Sequence, residues 1–367
     1  MDYSALKKRY AGLDLLRVIS AAVVCAFHTT IHLGADYGIL QSVSQMGAVF
    51  MTAFFMLSGY TLFVNYAGIE IMNKEALRKF WLKRMIAIVP MYYLTSLLFI
   101  FHRMSLSGEP MKVVMENLWL APIEALGIQS NFSSLFNFSH NGGTWFISCL
   151  MICYLVYPFL QEVFKPLSVR AKIILIGISS FILLYSPFVV AKFGISNIYS
   201  NPFFRLLEFG IGVLLASLKP KLDESIVVRR ILYNRASMVV ISILMAAGIT
   251  VAVKKGFALG NYMMYSLICL PCFIIMIIGM SGIEFDDLER SRVLSYCSSI
   301  AYVFFLAQLF SNAICKSFLG KHGITGNVTI ILIGWFVCIV IALFFRHALE
   351  KPITAWLKDR FIDQNQS

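Results

Sequence analysis

The stretch GLDLLRVISAAVVCAFH, residues Gly12–His28, opens the first long apolar run of the chain and carries Asp14, Arg17 and His28. Arg17 and His28 are eleven residues apart. On a helix with about 100° per residue they lie on one face, with an axial separation of about 16 Å. An ionisable side chain inside a membrane is costly and therefore indicates function. We expect this helix to carry a site and the rest of the chain to form its scaffold.

The composition indicates a membrane protein. Of the 367 residues, 59% are hydrophobic and 14% are charged, whereas about 25% of residues are charged in an average soluble domain. Ten apolar segments can be drawn: 13–33, 45–65, 85–102, 143–161, 173–191, 203–218, 236–253, 263–282, 296–315 and 327–347. We predict an all-α polytopic membrane protein of about ten transmembrane helices, forming one domain over residues 1–367.

The distribution of basic residues predicts the orientation. With a cytoplasmic N-terminus, 21 Lys and Arg residues fall in inside segments and 7 in outside segments. This bias places both termini in the cytoplasm. It also accounts for the net charge of +12 without a nucleic-acid partner. The first helix is expected to be retained, because no small-residue cleavage site follows it. The eight cysteines fall in or beside apolar runs and are interpreted as buried thiols.

His28 has two interpretations. It is either a structural histidine that bonds between helices or a general base in a dry pocket, where a neutral imidazole accepts the proton of a hydroxyl group. His32 follows one turn later, but no carboxylate or cysteine cluster accompanies the pair. No metal site is therefore predicted.

The basic residues near the predicted inner surface also have two interpretations. Arg17 either pairs with Asp14 and extends towards water, or contacts a phosphate or thioester. A cluster precedes the third apolar segment, and it either reflects the positive-inside rule or clamps phosphates. Its members are Arg78, Lys79, Lys83 and Arg84.

Three further features of the sequence also have two interpretations each. Ser58 and Gly59 lie inside the second segment, where small residues permit close helix packing; a nucleophilic serine would need a partner base. Trp145 begins the fourth segment as an interfacial anchor or a pocket wall. Arg205 and Glu208 are three residues apart and form either a salt bridge or a pair that binds a polar acceptor.

These segments, in this order, resemble the acyltransferase 3 family of integral membrane acyltransferases. Arg17 and His28 match the Arg-x10-His spacing of its first helix. FFMLSGY resembles its second-helix block, and FWLKRMIAIVPMYYL, with Arg84 and Pro90, resembles its Arg-x-x-Arg-x-x-Pro block. Later stretches match further blocks: TWFISCLMICYLVYPFL, RLLEFGIGVLL, SSIAYVFFLAQ and Glu350-Lys351-Pro352.

The chain departs from the family pattern at three positions. Ala87 stands where the second Arg of the Arg-x-x-Arg block falls, and Lys83 or Arg78 is expected to replace it. Leu150 stands where one branch of the family has Glu. Gln308 stands where many members have His, which makes His28 the better candidate base.

The resemblance implies transfer of an acyl group, usually acetyl, from cytoplasmic acyl-CoA to a hydroxyl of a cell-surface or lipid-linked glycan. The expected setting is the bacterial cytoplasmic membrane, with contacts to lipid, no metal, and either a monomer or a homodimer. His28 and Arg17 are the expected catalytic residues. Arg17, Arg78, Lys83, Arg84 and Ser58 are expected to bind the donor. Trp145, Arg205 and Glu208 are expected on the acceptor side.

Two other classes of function stay open from the sequence. One is a transporter or flippase for a glycan or a lipid-linked sugar, although no internal repeat is visible. The other is a non-catalytic membrane subunit of a polysaccharide assembly complex.

Overall fold

The structure is a computed structural model that describes residues 3, 8–106, 109–132, 143–193, 198–256 and 266–363. These ranges contain helices joined by short connections and no β-strand. The α-helices are α1 Ala11–Leu33, α2 Gln41–Gln45, α3 Met51–Tyr66, α4 Lys74–Leu106, α5 Pro110–Ala125, α6 Thr144–Phe164, α7 Val169–Phe193, α8 Pro202–Glu224, α9 Ile226–Ile231, α10 Arg235–Lys254, α11 Ser266–Gly282, α12 Asp286–Glu289, α13 Arg292–Lys321, α14 Asn327–Phe344 and α15 Lys351–Lys358. A π-helical turn, Phe345–Glu350, joins the last two.

Eight helices of the described ranges are long and apolar enough to cross a membrane. They are α1, α3 with the turn before it, α4, α6, α7, α10, α13 and α14 with its continuation. The chain is therefore an integral membrane protein with an all-helical fold. The other two predicted segments lie on α8, which is charged at both ends, and on α11, which has 17 residues. The count of ten and the cytoplasmic location of the termini stay predictions.

One end of the bundle gathers the loops rich in Lys and Arg, and we call it the basic end. There Arg9, before α1, donates to the carbonyl of Glu289, before α13, at 2.9 Å. Gln161, near the end of α6, donates to the carbonyls of Tyr66 and Ile69, at the end of α3 and just after it, at 3.1 Å each. Helices α1 and α13 therefore begin at the end where α3 and α6 finish.

Helices α1 and α13 pack side by side in the same direction. The Arg17 guanidinium donates to Ser298 Oγ at 3.0 Å, an offset of 281 residues that nearly equals the offset of 280 between Arg9 and Glu289. Ser298 also donates to Asp14, an offset of 284. Towards the other end, Ala35 and Cys315 belong to one buried apolar cluster. These offsets fix, to within about one helical turn, which residues of the two helices share a level.

Helices α3 and α8 approach each other most closely through two glycines. A Cβ at Gly59 would lie 2.1 Å from the carbonyl oxygen of Phe209, and one at Gly212 would lie 1.9 Å from that of Met56. Backbones can approach this closely only where side chains are absent. The packing interpretation of Gly59 is therefore confirmed, and this contact sets the positions of both helices around the site.

Helix α5 follows α4 and lies against it. Four of its apolar side chains are 60–72% exposed: Met111, Met115, Leu118 and Trp119. An apolar face of this size on a helix beside a membrane bundle fits a position at the lipid boundary.

Candidate active site

A cavity of about 340 Å³ lies between α1, α3, α4, α6 and α13. On α3 its lining runs from Asn65, near the basic end, through Thr61, Ser58 and Phe54 to Met51. Fourteen residues of helix correspond to about 21 Å. The cavity therefore follows α3 over most of its length, and an extended ligand that enters at the basic end can reach deep into the bundle.

Two arginines line the cavity, and the first is Arg17. Its Nη1 donates to Ser298 Oγ at 3.0 Å and lies 3.4 Å from Asp14 Oδ1. Ser298 Oγ in turn donates to the same Asp14 oxygen at 2.6 Å, and Arg9 binds the other oxygen at 2.7 Å. Asp14 is thus shared, and the Arg17 side chain keeps 23% of its surface exposed. Arg17 is held in place and still has donors for a ligand in the cavity.

The second arginine is Arg84, on the opposite wall. Its guanidinium lies over the rings of Tyr66 and Tyr154, at 5.8 Å and 6.0 Å from their centroids. Its Nε has no hydrogen-bond partner among the described residues. Aromatic rings on one side fix the guanidinium plane while its N–H groups stay available, which is how arginine recognises phosphate or carbonyl oxygen atoms.

Three smaller pockets continue from the cavity at the basic end. Arg84 and Ala87 line both the cavity and a pocket that also contains Lys79, Lys83 and Lys358. Ala87 belongs to a further pocket, lined by Arg346, Lys351 and Lys358. Arg78 lies in the third of these, with Lys79 and Phe361. The predicted phosphate-binding residues are therefore arranged in sequence outward from the cavity, with Arg78 the most distant.

Ser58, predicted to contact the donor, lines the cavity, and its Oγ donates to the carbonyl of Phe54 in its own helix at 2.7 Å. This is an ordinary backbone contact of a serine within a helix. It provides no base for a nucleophile.

The cavity closes at its far end on aromatic rings. The Phe146 ring centroid lies 6.3 Å from that of Phe54 and 5.1 Å from that of Phe305. All three residues line the cavity. We call these three residues the aromatic floor. It separates the polar, arginine-lined part of the cavity from the opposite end of the bundle.

His28 lies beyond the aromatic floor and does not line the cavity. Its ring stacks on that of His32, with centroids 5.6 Å apart and planes 11° apart. The Nδ1 atom of His28 is buried and finds no partner in the ranges that the structure describes. The interpretation of His28 as a structural histidine bonded between helices stays open. The role of general base stays a prediction.

The structure brings together Trp145, Arg205 and Glu208, and the three side chains form a closed cluster. Arg205 and Glu208 are 0% and 1% exposed, and Nη1 lies 2.8 Å from Oε2. Thr52 donates to Glu208 at 2.8 Å. The guanidinium is enclosed by the rings of Phe55, Trp145 and Tyr199, at 4.7–5.4 Å. The salt bridge exists; the binding of an acceptor by this cluster stays a prediction.

Several lining residues were given no role from the sequence. They are Tyr154, Ser298, Tyr302 and Glu350, together with Arg346 and Lys358 in the adjoining pockets. Glu350 pairs with Arg346 at 2.6 Å, and Tyr302 donates to the carbonyl of Ile88 at 2.7 Å. The available signal was their place in stretches that resemble family blocks: Tyr154 in TWFISCLMICYLVYPFL, Ser298 and Tyr302 in SSIAYVFFLAQ, and Glu350 in Glu-Lys-Pro.

A comparison with known families identifies the family of the chain. The sequence profile of the acyltransferase 3 family, described as an acyltransferase domain, matches residues 10–347. The chain belongs to the acyltransferase 3 family. The match covers nearly the whole chain and includes every residue of the cavity except Glu350. No curated protein matches this acyltransferase, and no solved structure does.

Within the described ranges, no group of three or more His, Cys, Asp and Glu side chains is arranged to hold a metal ion. His28 and His32 stack on each other without a carboxylate or a thiol in such a group.

Proposed function

We propose that this acyltransferase transfers an acyl group, most simply acetyl, from cytoplasmic acyl-CoA to a hydroxyl group of a cell-surface or lipid-linked glycan. The observation that carries the proposal is the cavity, which is lined by Arg17 and Arg84, opens among basic pockets and extends along α3. A thin arm with phosphates at one end matches this shape and charge.

The donor would lie with its phosphates at the basic end. Arg84, Lys83, Lys358 and Arg346 offer charged donors around the opening, and arginine and lysine bind phosphate strongly. The pantetheine arm would follow α3 past Ser58. Arg17 would bind a carbonyl or phosphate oxygen of the donor, because it is anchored by Ser298 and has free donor groups.

The chemical step is a direct acyl transfer. The acceptor hydroxyl oxygen attacks the thioester carbonyl carbon, a C–O bond forms, and the C–S bond breaks. His28 accepts the hydroxyl proton, and coenzyme A leaves as a thiolate that then takes up a proton. For the thioester to meet His28, the rings of the aromatic floor must turn aside. Trp145 would then face the side from which the acceptor arrives.

The experiment compares two neighbouring histidines. His28→Ala and His32→Ala remove rings that stack on each other, so both variants lose the same stacking contact. Each is expressed in cells that lack the native chain, and the acylated fraction of the envelope glycan is measured by mass spectrometry. We expect no acylation with His28→Ala and near-normal acylation with His32→Ala, at equal amounts of folded protein.

Acylation by His28→Ala would refute the general-base role. Loss of glycan export in that variant, with no acyl group on the wild-type product, would favour the transporter or flippase. The family match favours the acyltransferase over that alternative.

A further inference from the structure

Two carboxamide side chains on α13 are buried without hydrogen-bond partners. Gln308 is 0% exposed, and both its Nε2 and its Oε1 are unpaired among the described residues. Asn312 is 2% exposed, and its Oδ1 is likewise unpaired. A buried polar atom without a partner costs free energy, and more so inside a membrane. Two such side chains one turn apart indicate a ligand that completes their hydrogen bonds.

Both carboxamides continue the wall of the cavity. Ala301 and Phe305 line the cavity, and Gln308 and Asn312 each follow one of them by seven residues. Seven residues are two turns of helix and return to the same face within about 20°, about 10 Å further along the axis. Gln308 and Asn312 therefore lie on the cavity face of α13, beyond the aromatic floor.

The parallel packing of α1 and α13 places these residues at the level of His28. The hydrogen bonds at the basic end give offsets of 280, 281 and 284 residues between the two helices. Applied to His28, the same offsets give positions 308 to 312. The unpaired Nδ1 of His28 and the unpaired amide of Gln308 thus belong to one layer of the bundle, with Asn312 one turn further from the basic end.

The chemistry of this layer differs from that of the cavity. Arg17 and Arg84 carry full positive charge suited to phosphate oxygens, whereas a carboxamide is neutral and offers both N–H donors and a carbonyl acceptor. A sugar hydroxyl is also both donor and acceptor, so neighbouring hydroxyls pair well with neighbouring carboxamides. A hydrocarbon chain would leave the same atoms unpaired.

We propose that Gln308 and Asn312 form, together with His28, the subsite that binds the hydroxyl groups of the acceptor carbohydrate. This inference rests on the proposed function and assigns the acceptor to the layer beyond the aromatic floor. In that position a hydroxyl held by Gln308 is presented to His28, and the thioester arrives from the opposite side.

The experiment uses near-isosteric replacements and a matched glutamine. Gln308→Met and Asn312→Leu remove the carboxamides, whereas Gln161→Met removes an equally buried glutamine whose amide bonds Tyr66, Ile69 and Tyr157. Each variant is tested in cells lacking the native chain for acylation of the envelope glycan by mass spectrometry. The purified full-length proteins are tested for acetyl-CoA binding and for thermal unfolding in detergent.

We expect Gln308→Met and Asn312→Leu each to lower the acylated fraction by about tenfold, the effect of one lost hydrogen bond to a buried partner. Acetyl-CoA affinity and the unfolding temperature should stay unchanged. Gln161→Met should show the reverse, with a lower unfolding temperature and normal acylation per folded molecule.

Normal acylation by both Gln308→Met and Asn312→Leu would overturn the subsite. So would a loss of acylation that accompanies lost acetyl-CoA binding or a lower unfolding temperature, because the carboxamides would then be structural. If wild-type cells leave the glycan unacylated, the proposed function fails first, and the subsite fails with it.

Discussion

Two arginines in this protein each lie three residues from an acidic residue on the same helix, but their surroundings differ. Arg17 follows Asp14 by three residues, and Arg205 precedes Glu208 by three. The first ion pair spans 3.4 Å beside a cavity, with 23% of the arginine side chain exposed. The second spans 2.8 Å, and the arginine is fully buried and enclosed by aromatic rings.

The difference shows what makes a membrane-embedded charge available to a substrate. At Arg17 the carboxylate is shared with Arg9 and Ser298, so the guanidinium has donors to spare. At Arg205 the carboxylate bonds that arginine and Thr52, and the guanidinium is fully buried, although its Nη2 has no partner among the described residues. Exposure beside a cavity, and not the number of spare donors, therefore distinguishes the two arginines.

The largest expected effect is on stability at the closed pair. Glu208→Gln keeps the shape of the side chain but leaves the Arg205 charge buried without a counter-ion. Removing one partner of a buried pair costs about 3–5 kcal/mol. We expect thermal unfolding in detergent to occur at a much lower temperature. As a control, the double variant Arg205→Met/Glu208→Leu removes both charges and should recover most of the loss.

If Glu208→Gln unfolds like the wild type, the closed pair does not hold the helices together, and its role in binding an acceptor gains weight.

The next effect is on activity at the open pair. Arg17→Ala removes a donor aimed at the cavity and should lower acyl transfer by about 100-fold. A partly exposed ion pair contributes at most about 1 kcal/mol, so the unfolding temperature should change little. Transfer from labelled acetyl-CoA in purified membranes measures the first quantity. Arg17→Lys keeps the charge without the fork of donors and should give an intermediate rate.

Equal loss of stability and activity in Arg17→Ala would make Arg17 a structural residue like Arg205 and remove the contrast between them.

A third test disturbs the contact on which both regions depend. Gly212→Ala places a Cβ 1.9 Å from the carbonyl oxygen of Met56, which forces α8 away from α3. Overpacking of this kind costs about 1–3 kcal/mol. Because α3 lines the cavity and α8 carries Glu208, both stability and acyl transfer should fall. Gly177→Ala, on α7 with open space around the added Cβ, is the matched control and should leave both unchanged.

If Gly212→Ala lowered only acyl transfer, the close approach of α3 and α8 would not contribute to the stability of the fold.

The smallest expected effect is a gain at the opening of the cavity. Ala87 lines the cavity and two of the basic pockets. Ala87→Arg adds a guanidinium beside Arg84 and should tighten acetyl-CoA binding by about fivefold, the value of one partly exposed charged contact. Ala87→Leu adds bulk without charge. If the two variants bind acetyl-CoA with equal affinity, the opening does not recognise the phosphates through positive charge.

Much of this fold follows from local patterns. Each of the ten apolar segments drawn from the sequence overlaps a helix in the described part of the chain, because burial of apolar faces and helix formation within a membrane are imposed on each segment separately. One cavity is lined by Arg17, Ser58 and Arg84, which the sequence assigns to donor binding; that they bind a donor stays a prediction.

The rest required contacts between distant parts of the chain. No local pattern shows that Ser298 bonds Arg17, since they are 281 residues apart, or that Glu350 closes the same cavity. His28 lies beyond the aromatic floor and does not line the cavity. This position also depends on distant contacts, because α6 and α13 bring Phe146 and Phe305 together.

The sequence by itself determined a helical membrane protein of the acyltransferase 3 family, with an arginine and a histidine on one face of its first helix. Hydrophobicity, helical period and the order of motifs act over a few turns, so they can be read from the chain. Only the tertiary structure decided which of the two arginines lies beside a cavity and which is fully buried. That outcome depends on how closely the surrounding helices and rings pack around each ion pair, and packing between distant parts of the chain sets it.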